Sequence, residues 1–229
     1  MAGGGGGYRD GRIAPAFFLG WSRSALTDAL TQLTIHRVPP QTAESSAATG
    51  DPSQGVAPNL VSDDIELIIH ELAVRGVALQ RWPARAALSP DASQEEILAA
   101  YGEEIARVQE AGRYPTVDAI RMTPDHPDRK ELRLRFLAEH THAEDEVRFF
   151  VEGRGLFCLH IGDEVLQLLC ERNDWIAVPA GTKHWFDMGE EPSFCALRFF
   201  HNSEGWVAQF TGDPIAGRYP LLGMPNAPV

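Results

Sequence analysis

The stretch EHTHAEDEVRFFVEG, residues 139–153, sets His140 and His142 one residue apart and follows them with Glu146 and Arg148. In an extended chain, side chains two apart share a face. The two imidazoles therefore point the same way, and Glu146, Arg148 and Phe150 are in phase with one another. Two imidazoles and a carboxylate suit iron, nickel, cobalt or manganese better than magnesium or calcium. On spacing alone the histidines also fit an exposed loop beside a solvated acidic run. The later stretch VPAGTKHWFDMG favours the metal reading. Its Pro179-Ala180-Gly181 turn re-aims the chain so that the next strand enters the core, carrying His184 inward with Phe186 and Met188 in phase behind it.

The elements that must position these groups change character along the chain. Residues 1–30 open on MAGGGGGYRDGR, a composition that cannot bury enough surface to order itself, and read as a disordered extension. Leu33–Val38 reads as a strand, and Pro39 to Ser62 as a loop. Ser62 is placed to cap a helix with the apolar stripe Ile65, Ile68, Ile69 and Leu72, ended by Gly76. Ser93 and Glu96 form a capping box ahead of Ile97, Tyr101, Ile105 and Val108, with Gly112 closing that helix. A third, short helix is expected over Asp128–Phe136. Beyond it come short strands with turns at Gly162-Asp163, at ERND and at EEPS. The expected fold class is mainly β with α, an α+β arrangement. Residues 31–229 form one domain, with a helical half at about 62–138 and a β core at about 139–210.

Composition narrows the partners. Lys plus Arg number 20 against 32 Asp plus Glu, a formal net charge of -12 that repels a phosphate backbone and argues against nucleic-acid binding. A small anion could bind only where a metal ion or a buried arginine reverses the local field. Cys158, Cys170 and Cys195 are odd in number and lack a pairing pattern, which points to a reducing compartment. The apolar run Ala14–Trp21 is too short to span a bilayer. A cytoplasmic monomer with no membrane partner is the expectation.

His140, His142, Glu146 and His184 together resemble the metal-binding set of the cupin superfamily. HxH, then Glu, then Gly153 after six intervening residues matches its first motif, and Pro179, Gly181 and His184 match its second. Leu134 and Asn173 stand where glycines are usual, and Met188 where asparagine is. These departures touch turns rather than ligands. The stretches EDEVRFFVEGRGLFCLHIGDEV, VPAGTKHWFDMG, EGWVAQFTGDPI and RWPARAALSPDASQEEILAAYGEEI are similar to the bacterial acireductone dioxygenases of methionine salvage, a resemblance running from about Leu33 to Pro220.

That resemblance implies a cupin jelly-roll β-barrel with peripheral helices and one Fe2+ or Ni2+ per monomer. It implies O2 cleavage of the acireductone 1,2-dihydroxy-5-(methylthio)pent-1-en-3-one. The iron form would give formate and 4-methylthio-2-oxobutanoate, the nickel form formate, CO and methylthiopropionate. Three histidines and one carboxylate leave two positions of an octahedron, enough to chelate an enediolate. The substrate can then give electrons to oxygen itself, so a metal that keeps its oxidation state suffices. Arg148 is implied to favour the substrate dianion; its alternative is a surface salt bridge to Glu144 or Asp145. Arg198 is either a second pocket cation or a paired core charge. Phe136, Phe186 and Trp206 either shape space for the methylthio tail or are plain core. Glu139 and Asp145 match positions linked to metal incorporation and conformational coupling, while His160 and His201 read as structural or surface residues. The rival readings are another metal-dependent cupin enzyme, a dioxygenase or decarboxylase, and a non-catalytic ligand-binding cupin.

Overall fold

The computed structural model describes residues 31–38, 56–110, 114–202, 207–224 and 227–228, so the N-terminal extension, Gly112 and Trp206 lie outside the described residues. Among the described residues, eleven antiparallel strands form two layers that share one long strand, β6 (Glu146–Ile161). The N-terminal half of β6 pairs with β8 (Asp174–Val178) and β10 (Phe194–Phe200), and β3 (Ala78–Arg81) and β4 (Thr116–Met122) extend that layer. The C-terminal half pairs with β7 (Glu164–Glu171) and β9 (Lys183–Asp187). β1 (Gln32–Arg37) and β2 (Pro58–Ser62) extend this second layer on one side, β5 (His140–Thr141) and β11 (Gln209–Phe210) on the other. This is the α+β cupin architecture the motifs imply.

A strand can serve both layers only if it turns a corner and keeps its apolar side inward. Before the corner, Arg148 and Phe150 face the interior while Val147, Phe149 and Val151 face outward under the helices. After it, Phe157 and Leu159 face inward, so the parity of the alternation has reversed. The reversal comes from a bulge at Val151: Cys195 pairs with Glu152 but Ala196 with Phe150, which leaves Val151 as an extra residue on β6. Gly153 follows the bulge. It sits at φ 64 opposite Phe194, beside an irregularity in the β6–β10 register, and a Cβ there would lie 1.8 Å from the Ser193 carbonyl oxygen. Only glycine combines that φ with so close an approach of backbone.

The helices cover the outside. α1 (Ile65–Ala73) buries Ile68 and Leu72, as its apolar stripe requires. Its cap is Asp64, whose carboxylate accepts from the Glu66 and Leu67 amides. Ser62, expected to cap it, instead ends β2, and its hydroxyl accepts from the Asp64 amide. The loop expected through Ser62 thus contains a strand, added to β1 as an edge. The Ser93–Glu96 capping box forms as expected and starts α2 (Gln94–Ala100). The single helix expected beyond it is interrupted at Tyr101, where φ -115 leaves the helical region, and resumes as α3 (Gly102–Glu110). Burial decides the break: Tyr101 is 1 % exposed, packs edge-on to Phe149 and donates its hydroxyl to Ala86 O. α4 (Arg129–Leu137) buries no residue completely and lies against β9. The turns expected at Gly162-Asp163, ERND and EEPS join β6 to β7, β7 to β8 and β9 to β10. No helix among the described residues is long and apolar enough to cross a membrane.

Candidate metal centre

Strand pairing assembles the site. β5 lies beside β9, so His140 is the direct partner of His184, and β9 lies beside β6, which brings Leu159 opposite His184. His142 follows β5 and Glu146 opens β6, both with side chains turned to the same interior point. The three imidazole centroids are 4.4, 4.9 and 5.0 Å apart. One ligand atom from each of the four residues lies within 4.8 Å of all the others, and all four residues are buried.

The hydrogen bonds settle which nitrogen each histidine offers. The Nδ1–H of His140 donates to Ala138 O at 2.7 Å, that of His142 to Val207 O at 3.1 Å, and that of His184 to Thr182 O at 2.8 Å. A carbonyl can only accept, so Nδ1 carries the proton and Nε2 of the neutral ring presents a lone pair. Those lone pairs converge. Nε2 of His142 and of His184 lie 3.0 and 2.8 Å from Glu146 Oε2. Neither Glu146 Oε2 nor His184 Nε2, both buried, makes a hydrogen bond of acceptable geometry. Buried acceptors aimed at one another are costly unless something positive stands between them. Donors in adjacent positions around an ion roughly 2.1 Å away would be about 3 Å apart, close to these separations. The set therefore fits one metal ion, and its nitrogen and carboxylate chemistry fits a transition metal.

Protonation states agree with that role. Burial, and next the neighbouring His184, push His140 down to about 4, which keeps it neutral. Burial works against the Glu146 carboxylate, but the Arg148 guanidinium beside it outweighs that cost and holds this carboxyl well below its usual range. Arg148 donates from Nε at 2.8 Å and from Nη2 at 2.7 Å to Glu146 Oε1, leaving Oε2 for the histidines. Its guanidinium carbon lies 4.7 Å from the Phe186 ring centroid and 5.4 Å from that of Phe157. The surface salt bridge to Glu144 or Asp145 is not formed; the partner is the Glu146 carboxylate itself.

A cavity of about 590 Å³ opens beside the four residues. Arg148, Phe136, Phe186 and Arg198 line it. Arg198 satisfies both of its alternatives, because it also holds Asp118 through two bonds of 2.8 and 2.6 Å. Glu139 and Asp145 do not line the cavity. Glu139 is buried behind His140, accepting from Thr211 Oγ1 and meeting His160 Nδ1, each at 2.6 Å, so His160 has a buried partner. Asp145 accepts from Tyr114 and from the Ala180 amide, pinning the turn ahead of His184, and His201 packs on Tyr114. Sequence reasoning missed Asp118, Arg135 and Phe210 in the cavity wall. Asp118 sits on β4, whose half-buried residues lack a clean alternation. Arg135 was legible, lying one helical turn from Leu132 within the expected third helix.

Known proteins resemble this chain over most of its length. The ARD/ARD' family profile matches residues 57–208. An acireductone dioxygenase of Synechococcus sp. (strain RCC307) is 61% identical over 194 residues, covering 85% of this chain and 100% of its own length. That of Prochlorococcus marinus (strain MIT 9313) is 63% identical over 193 residues, covering 84% and 100%. A solved acireductone dioxygenase from Bacillus anthracis, with a cadmium ion in its active centre, superposes with TM-score 0.62 at 28% identity, covering 79% of this chain and 98% of that one. With its barrel, its converging donors and relatives matched along their whole length, the chain belongs to the ARD/ARD' family, the acireductone dioxygenases.

Proposed function

We propose that His140, His142, Glu146 and His184 hold one Fe2+ or Ni2+ and that the adjoining cavity receives 1,2-dihydroxy-5-(methylthio)pent-1-en-3-one and O2. The observation that carries this is the convergence of three Nε2 lone pairs and one carboxylate oxygen at the wall of a cavity large enough for a small molecule. When bound, the metal supplies a Lewis acid and a template for an enediolate.

The chain's own residues do the rest. The carbonyls of Ala138, Val207 and Thr182 fix the tautomer and tilt of each ligand imidazole. Arg148 holds one carboxylate oxygen of Glu146 and turns the other toward the histidines, and the same guanidinium offers positive charge to an ionised substrate. Phe136 and Phe186 give the cavity an apolar wall suited to the methylthio tail and keep water from it. The overall change balances without an outside reductant. Cleavage of the enediol carbon chain by O2 gives formate and 4-methylthio-2-oxobutanoate, or formate, CO and methylthiopropionate, and both oxygen atoms end in the products. The first pair would return carbon to methionine.

Metal analysis joined to product analysis tests the reading. Protein loaded with iron should yield the 2-oxo acid, and protein loaded with nickel should yield CO. His142→Ala should lose most of its metal and most of its turnover. A variant that keeps a full metal complement would remove His142 from the ligand set, and absence of turnover with either metal would overturn the activity.

A further inference from the structure

The cavity wall carries three guanidinium groups, those of Arg135, Arg148 and Arg198. Two are committed, Arg148 to Glu146 and Arg198 to Asp118. Arg135 has no carboxylate partner among the described residues. It lies on α4, whose sequence RKELRLRFL carries four cations and one anion in a chain of net charge -12. Leu132, Arg135 and Phe136 fall at helical spacing of three and four, share one face, and all three line the cavity. Arg133 is turned away and paired with Asp187 and Glu190. An exposed arginine without a partner among the described residues, held at the mouth of a cavity by its own helix, has no structural task that the packing assigns to it.

Resting on the proposed reading of the site, we propose that Arg135 is a substrate-binding residue that recruits the ionised acireductone. An enediol conjugated with a ketone is a vinylogous acid, so much of the substrate is anionic near neutral pH. A chain with an excess of carboxylates repels such an anion everywhere except where positive charge is left over. Arg148 and Arg198 each share their charge with a neighbouring carboxylate, whereas Arg135 shares its charge with none among the described residues. Its guanidinium draws the anion to the mouth and holds it there while the tail enters the apolar wall.

Steady-state kinetics and anaerobic substrate titration, followed by enediolate absorbance, test this on the metal-loaded full chain at low and high salt. Arg135→Gln should raise KM and Kd about fivefold at low ionic strength, and Arg135→Glu about twentyfold, with kcat and metal content close to wild type. Arg135→Lys should restore most of the affinity, and the differences should shrink to about twofold or less near 0.5 M salt. Lys130→Gln makes the same change of net charge at an exposed position of the same helix that does not line the cavity, and should leave Kd where it was. Unaltered Kd in Arg135→Glu, an equal effect in Lys130→Gln, or a loss confined to kcat would each overturn the assignment. A wild type that neither binds nor consumes the acireductone would sink the reading of the site, and this assignment with it.

Discussion

At the scale of the residue, the pairing of Arg148 with Glu146 gives one guanidinium two tasks. It neutralises and orients a buried ligand carboxylate, and it presents charge to the cavity. Arg148→Ala should therefore lower metal affinity about 10- to 100-fold, the usual cost of losing the group that orients a ligand, as well as turnover. Arg148→Lys keeps the charge but not the two-pronged contact and should fall between. A metal titration separates this from a role in substrate charge alone, which would leave the metal affinity of Arg148→Ala at the wild-type value. In the same titration, ultraviolet spectra of the anaerobic substrate complex should shift from dianion toward monoanion in Arg148→Ala. The phase of Glu146 with Arg148 was legible from two-residue spacing; the choice of Glu146 rather than Glu144 or Asp145 as its partner was not. Glu144 and Asp145 precede β6, and only the path of the turn decides where their carboxylates go.

At the scale of the element, two glycines of β6 do different work. A Cβ on Gly153 would meet backbone at 1.8 Å at a φ of 64, and backbone cannot step aside. Gly153→Ala should cost about 2–5 kcal/mol, combining the left-handed strain with overpacking, and should show as a large drop in melting temperature. A Cβ on Gly155 would lie 2.2 Å from Cζ of Phe186, a ring in the cavity wall. Gly155→Ala should displace that ring, so its larger effect is expected on KM for the acireductone rather than on the melting temperature. Equal losses of stability in the two variants would contradict this division. Helix starts were legible where a carboxylate or hydroxyl precedes an apolar stripe, as at Ser93. The choice between Ser62 and Asp64 was not, because it depends on β2 adding to β1, a pairing between segments separated by residues 38–57.

At the scale of the whole molecule, the layers are tied by a buried polar knot at Asp174. Its carboxylate accepts from Thr31 Oγ1, from Arg81 and from the Glu171 amide, joining β1's lead-in, β3 and the β7–β8 turn. Burial pushes this carboxyl up to about 6 despite Arg81 and those hydrogen bonds. A carboxyl with a raised folded-state pKa contributes stability that is complete below its unfolded value near 4 and is lost as pH rises through 6. Unfolding free energies in urea should therefore favour wild type over Asp174→Asn by about 2 kcal/mol more at pH 4.5 than at pH 7. A gap that is constant between these pH values, or that narrows on acidification, would show that Asp174 stays ionised throughout.

What the amino-acid sequence determined by itself is local or periodic. His140 and His142 share a face because strands repeat every two residues, and the capping box at Ser93 closes within one turn. The turn at Gly162-Asp163 follows from backbone preferences of its own residues, and the spacing of HxH, Glu146, Gly153 and His184 carries the family resemblance. Tertiary structure alone decided the rest. Which strands flank β6, which carboxylate Arg198 engages, and which face of α4 lines the cavity are set by contacts between residues far apart in the chain. The parity switch at the Val151 bulge is decided in the same way, by pairing with a distant strand. Alternation extended through β6 would send Phe157 and Leu159 to the outer face, whereas one extra residue, Val151, opposite the Cys195–Ala196 step of β10 returns both to the interior beside His184.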